Sequence, residues 1–139
     1  MLNRMILGVV AFTISNAAVA AKDEAKKEEC PSFDLNAIES LLRQTPSCQR
    51  AVALFKVCEF GSSGDVSLGA AVTQKCEADF LSKLSVVQKR AYDREQQRCA
   101  RKYQNKAGTM HRSFEAFCGA YVARDYSAKF LKADPGGPK

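Results

Sequence analysis

An all-α, disulfide-stabilised domain of four to five helices is what this chain predicts, and three observations carry that reading. Apolar residues recur at helical spacing, as in Leu68, Val72, Cys76 and Phe80. No stretch alternates with period two for long enough to make a strand. Six cysteines, Cys30, Cys48, Cys58, Cys76, Cys99 and Cys118, follow an N-terminal segment that reads as an export signal, which would place them where thiols oxidise.

The signal covers residues 1–20. Arg4 precedes an apolar run from Met5 to Ile14, and Ala18-Val19-Ala20 offers the small residues that signal peptidase needs, with cleavage expected before Ala21. The run is too short for a helix to cross a hydrocarbon core of about 30 Å, so no transmembrane anchor is expected after cleavage. Residues 21–32 form a charged leader in which lysines and acids mix with almost nothing to bury. A single helical domain is expected over 33–132, and 133–139, with Pro135-Gly136-Gly137-Pro138, reads as a flexible tail.

Within the domain, Asp34 is a plausible N-cap for a helix that buries Leu35, Ile38, Leu41 and Leu42, and Thr45-Pro46 ends it. A second helix runs from Ser47 to about Phe60 with Ala51, Val52, Leu54, Phe55 and Cys58 on its apolar side, stopped by Gly61-Ser62-Ser63-Gly64. A third pattern starts at Asp65. Its stripe of Leu68, Val72, Cys76, Phe80 and Leu84 runs into the next segment, leaving open whether the two are one bent helix or two. Ser85 with Gln88 three residues on is a capping-box start, and Gly108 is a helix stop, so Leu84 to Cys118 spells a helical hairpin. The last helix begins between Thr109 and Ser113, ends near Phe130, and is expected to bury Phe114, Phe117, Tyr121 and Val122.

The cysteines read as structural. Cys99 and Cys118 are level across Gly108, and the same symmetry argument pairs Cys58 with Cys76 and leaves Cys30 with Cys48, one of the fifteen pairings six cysteines allow. Neither a Cys-x-x-Cys pair nor a second histidine beside His111 is present, so no metal, haem or other cofactor is implied.

The hairpin resembles the LprI-type lysozyme inhibitors, small secreted bacterial proteins. Leu84, Gln88 and Tyr92, then Cys99 eleven residues after Gln88, then Gly108-Thr109-Met110 with Cys118 ten residues after the glycine, carry the likeness. A tryptophan after the glutamine and a second glycine before the threonine, usual in that family, are replaced here. The resemblance implies an α-helical, disulfide-bonded, exported protein. It makes lysozyme or another envelope-directed protein a partner, with Ala107, Gly108, Thr109 and Met110 as the candidate inhibitory loop.

Charge suggests a second kind of partner. The chain carries a net +6, and from Lys89 to Arg112 eight basic residues face only Asp93 and Glu95. At about 100° per residue, Arg90, Arg94, Arg98 and Arg101 share one side of the helix, opposite Tyr92, Gln96, Cys99 and Tyr103. This is either a solvated face or an anion-binding face for lipopolysaccharide phosphates or acidic glycan. Nucleic acid is the weakest partner, because export separates the chain from it. A basic stripe would also repel a basic lysozyme, which moves any inhibitory surface to the turn. Tyr92, Tyr103, Phe114 and Phe117 read as core, with an aromatic ligand groove as the alternative.

Nothing marks an enzyme. His111 has no nucleophile assigned to it, and Glu77 with Asp79, or Asp93 with Glu95, are two apart and so point to different sides of a helix. The expectation is an exported, non-enzymatic binding protein, inhibitor-like or, alternatively, an envelope protein whose basic hairpin docks on anionic polymers.

Overall fold

The computed structural model describes residues 28–133, so the signal segment, most of the charged leader and nearly all of the tail lie outside the described residues. Five α-helices follow in order: α1 Leu35–Gln44, α2 Cys48–Val57, α3 Asp65–Glu77, α4 Val86–Tyr103 and α5 Met110–Ala133. One 3-10 turn, Leu81–Lys83, lies between α3 and α4, and among the described residues there is no strand. The all-α reading holds, and α3 and α4 are two helices.

Local chemistry sets most of these boundaries. The Asp34 carboxylate accepts from the Ala37 N–H at 2.8 Å and the Ser47 hydroxyl from the Arg50 N–H at 3.2 Å, capping α1 and α2. Ser85 and Gln88 exchange both bonds of a capping box at the start of α4. That cap is why α3 does not continue into α4. Phe80 sits at φ −141° and Leu84 is extended, so the four-residue stripe ends at the buried Phe80 instead of passing through it. α2 stops at Val57, three residues short of expectation.

The core gathers Ile38, Leu42, Val52, Phe55, Leu68, Val72 and Phe80 from the first three helices and the α3–α4 link. Tyr92, Ala120 and Ala123 join it from the last two. Phe80, fully buried, meets the rings of Tyr92 at 5.1 Å, Tyr126 at 5.5 Å and Phe130 at 6.0 Å.

α5 departs from its expected face. Its buried residues are Ser113, Gly119, Ala120, Ala123 and Ser127, whereas Phe114 is 44% exposed and Phe117, Tyr121 and Val122 are only half-buried. The cause is a tight parallel contact with α3. Residues 113, 116, 120, 123 and 127 alternate spacings of three and four, as do 65, 69, 72, 76 and 79 on the α3 side, and small side chains let the backbones approach. A Cβ on Gly69 would lie 2.7 Å from the Ala116 Cβ. Hydrogen bonds fix both ends of this contact: Ser113 donates to Asp65 at 2.6 Å, and Ser127 donates to Asp79.

The disulfides are Cys30–Cys58, Cys48–Cys76 and Cys99–Cys118, with no free cysteine among the described residues. The third agrees with the symmetry argument, and the other two correct it. The midpoint of 58 and 76 is residue 67, inside α3 and not in the glycine-rich turn. A helix cannot fold back at its own middle: Cys76 lies eleven residues beyond Asp65, about 16 Å along the axis at 1.5 Å per residue. The midpoint of 30 and 48 falls likewise inside α1. Instead, the α1–α2 hairpin brings Cys30, in the segment before α1, to Cys58 at the end of α2, and antiparallel α2 and α3 bring Cys48 to Cys76. Three disulfides point to an oxidising, extracellular type of environment. Among the described residues, no helix is long and apolar enough to cross a membrane.

Candidate functional site

The surface features concentrate on the α4–α5 hairpin. Its geometry starts inside: Tyr92 is buried, donates its hydroxyl hydrogen to Glu77 at 2.8 Å and accepts from Gln96 Nε2 at 2.8 Å. The same Gln96 nitrogen donates to the Gly119 carbonyl at 3.1 Å, which ties α4 to α5. Burial, with the Glu77 carboxylate beside it, pushes the Tyr92 phenol well above its ordinary range. Tyr126 donates to Glu95 at 3.1 Å from α5, and its phenol is also raised, first by burial and then by that carboxylate. With Cys99 buried in its disulfide, this side of α4 is committed to packing from Tyr92 to Cys99 and half-open at Tyr103.

The other side is open. Arg90, Arg94, Arg98 and Arg101 are all exposed along one face, spanning eleven residues and so about 16 Å. Among the described residues none of the four forms an ion pair, and Arg101 alone has a side-chain hydrogen bond, to Gln97 at 3.4 Å. Asp93, whose charge could have neutralised the stripe, is 3.8 Å from Lys89. Val86 and Val87, 69% and 73% exposed, extend the free surface at the start of α4.

The turn after α4 carries the four loop residues. Ala107, Gly108, Thr109 and Met110 are exposed, and Gly108 has φ +95°, a conformation that favours glycine. The root of the turn is braced: Arg112 donates to the Tyr103 carbonyl at 2.7 Å and pairs with Glu115 at 2.9 Å, and the Cys99–Cys118 bridge lies behind it. His111 sits in the first turn of α5 with its ring 6.3 Å from Tyr103 and 5.9 Å from Phe114. Among the described residues its Nδ1 is buried without a hydrogen-bond partner.

A third feature gathers Tyr103, Phe114 and Phe117, aromatics for which a ligand groove was the alternative to core packing. Between the C-terminal ends of α2 and α4, with α5 as its floor, lies an open groove of about 500 Å³. Tyr103, Phe114, Phe117 and Tyr121 line it together with Lys56, Glu59 and Lys102. Of the four aromatics expected in the core, only Tyr92 is buried. Phe114, Phe117 and Tyr121 fall within about 60° of one another on a helical wheel, a legible stripe, but it lies at the edge of the core: Phe117 and Tyr121 pack against the core with one side and line this groove with the other, and Phe114 is exposed. Lys56 and Glu59 could not be placed from sequence, because α2 and α5 meet only through the fold.

Set beside known proteins, the chain matches no family model, no curated protein and no solved structure. Fold and surface define its class by themselves: a three-disulfide, five-helix domain with a basic helical face. Among the described residues, no group of His, Cys, Asp and Glu is placed to hold a metal ion.

Proposed function

We propose that this is an exported, non-enzymatic binding protein, periplasmic or secreted, whose α4 face docks on anionic envelope polymer. The observation that carries the reading is that four arginines stand exposed on one helix face with no ion pair to a carboxylate among the described residues. Guanidinium groups suit phosphate and carboxylate because they offer paired donors in a plane. A helix pinned by a disulfide and by Tyr92 and Gln96 holds their backbone positions fixed, so only side-chain freedom is lost on binding.

A second reading has its own support. The exposed turn at Ala107–Met110 is braced at its root, the arrangement of a loop that inserts into a cleft, and it coincides with the residues of the LprI-like resemblance. On that reading the partner is a lysozyme or a similar envelope-directed protein.

One pair of variants separates the two. Exchange of Arg90, Arg94, Arg98 and Arg101 for Gln removes four contacts of roughly 0.5 kcal/mol each, about 2 kcal/mol or thirtyfold in affinity for lipopolysaccharide, while circular dichroism stays unchanged. Native affinity should also fall between 0.01 M and 0.15 M salt, as the screening length drops from about 30 Å to about 8 Å. Thr109→Asp with Met110→Asp should leave polymer binding intact and, on the inhibitor reading alone, abolish inhibition of lysozyme by the oxidised protein. Polymer binding that survives the arginine exchange rejects the docking role of α4.

A further inference from the structure

We propose that the groove between α2 and α4 is a binding site for an acidic oligosaccharide. Sugar faces would stack on Tyr103, Phe114 and Tyr121, and carboxylates would pair with Lys56 and Lys102. The site is separate from the arginine stripe: Tyr103 lies on the packed side of α4, and the floor belongs to α5.

Three observations carry this. The first is the platform. Phe117 stacks on Phe55 at 4.0 Å and 5° interplanar angle, and the Cys99–Cys118 bridge sits directly beside it, so the floor is held from below. Tyr103 and Phe114 meet at 6.0 Å on one side of the floor, and Phe117 and Tyr121 at 5.8 Å on the other. Between Phe114 and Tyr121 the helix rises about 10 Å, so a ligand laid along the floor meets aromatic surface over more than one ring.

The second observation is charge. Lys102 and Lys106 stand over the Tyr103 ring at 5.2 Å and 5.7 Å, and Lys56 and Arg124 over the Tyr121 ring at 5.6 Å and 4.8 Å. Both ends of the platform therefore carry cations held against aromatic faces. Among the described residues Glu59 is the one acid lining the groove. An anion with charge at two separated points fits this pattern better than one with a single head group.

The third is openness. Phe114 is 44% exposed, and the groove is a trough between two helix ends, not an enclosed tunnel. An alkyl chain lying there would stay largely wet and gain little from burial. A pyranose gains what the site offers, because it can set its C–H face on an aromatic ring while its hydroxyls remain in water. Among anionic ligands, that selects acidic sugars over lipid anions.

The test uses the oxidised full-length protein and tetragalacturonate as probe, with maltotetraose as the uncharged control and dodecyl phosphate below micelle formation as the lipid control. Titration followed by two-dimensional NMR should move the resonances of Tyr103, Phe114 and Tyr121, and maltotetraose should bind at least about tenfold more weakly than tetragalacturonate. Phe114→Ala, at an exposed position, and Lys56→Gln with Lys102→Gln should each weaken tetragalacturonate about tenfold or more, whereas Tyr121→Phe, which keeps the ring, should bind as the native protein does. Exchange of Arg90 and Arg94 alone, which lie about 12 Å or more along α4 from Lys102, should leave groove binding within about threefold, because charge beyond about 8 Å is screened at 0.15 M salt. Loss of binding in the arginine exchange alone, equal affinity for maltotetraose, or preference for dodecyl phosphate would each overturn the proposal.

Discussion

Tyr92 shows how one side chain joins three elements. Its ring packs against Phe80 and Tyr126, at 5.1 Å and 5.0 Å, while its hydroxyl links Glu77 at the end of α3 to Gln96 on α4. Because burial raises its phenol above the ordinary value of about 10, the folded state favours the protonated form and the unfolded chain releases that proton first. The sign follows by linkage: the stabilisation is complete below pH 10 and is lost as pH rises beyond it towards the folded value. Urea unfolding should therefore give a flat stability between pH 7 and 9 from this group, and a decline above about pH 10. Tyr92→Phe should cost about 1–2 kcal/mol at pH 7, since Glu77 and Gln96 each lose a partner, and should make the alkaline decline shallower. An equally steep decline in the variant would assign it to other groups. Asp65 is comparable in its reach. Fully buried, it accepts from the Phe60 and Gly61 N–H groups and from Ser113, so it closes the α2–α3 loop onto α5. Sequence alone presented it only as the start of a helix.

At the scale of elements, what was legible depended on whether a helix has one packed side. α4 does, and its buried Tyr92 and Cys99 opposite four exposed arginines follow directly from the wheel. The starts of α1 and α2 were equally plain, because Asp34 and Ser47 cap them with bonds that need no tertiary information, but Leu41, expected on the buried side of α1, is 38% exposed because it lies at the edge of that face. α5 was not, since it packs on three sides: small residues towards α3, Gly119 and Tyr126 towards α4, and Phe117 towards α2. A helix surrounded in this way has no single apolar stripe, and its largest side chains need not be its most buried. The candidate site divided along the same line: the arginine stripe and the turn are local to the hairpin, whereas the groove needs α2. Two glycines test the account. Ala in place of Gly69 would meet the Ala116 backbone and Cβ, a rigid neighbour, so about 1–3 kcal/mol of overlap should outweigh the roughly 1 kcal/mol gained in helix propensity. Ala in place of Gly119 would meet only the Gln96 side-chain oxygen at 2.9 Å, the end of a side chain that can shift by a few tenths of an ångström at some cost to its bonds to Tyr92 and the Gly119 carbonyl, so its thermal midpoint should fall less than that of Gly69→Ala. If both variants melt alike, close α3–α5 packing is not what fixes that interface.

Taken whole, the molecule is two cross-linked parts joined by packing. The overlapping bridges Cys30–Cys58 and Cys48–Cys76 bind the segment before α1, α2 and α3 together, and Cys99–Cys118 binds α4 to α5. No disulfide crosses between these parts; the α3–α5 contact and the Ser113–Asp65 and Ser127–Asp79 hydrogen bonds do that work. This arrangement lets the α4–α5 hairpin loosen at its tip without releasing the first three helices. Closing a loop of nineteen residues restricts the unfolded chain by about 3 kcal/mol, so replacing Cys99 and Cys118 together by Ala should lower the melting temperature by on the order of 15 °C. The loss should be uneven. Amide hydrogen exchange should quicken most in the C-terminal turn of α4 and the first turns of α5, where the bridge braces both the exposed turn and the floor of the groove, while α1–α3 keep the order set by their own two bridges. If the groove and the turn bind as proposed, oligosaccharide binding and, on the inhibitor reading, lysozyme inhibition should then weaken more than the proposed polymer docking, which would draw on arginines spread along the whole of α4. Exchange that quickens equally in α1–α3 would mean that the five helices open as a single unit and that the α3–α5 contact, not the third disulfide, decides how rigidly the hairpin is held.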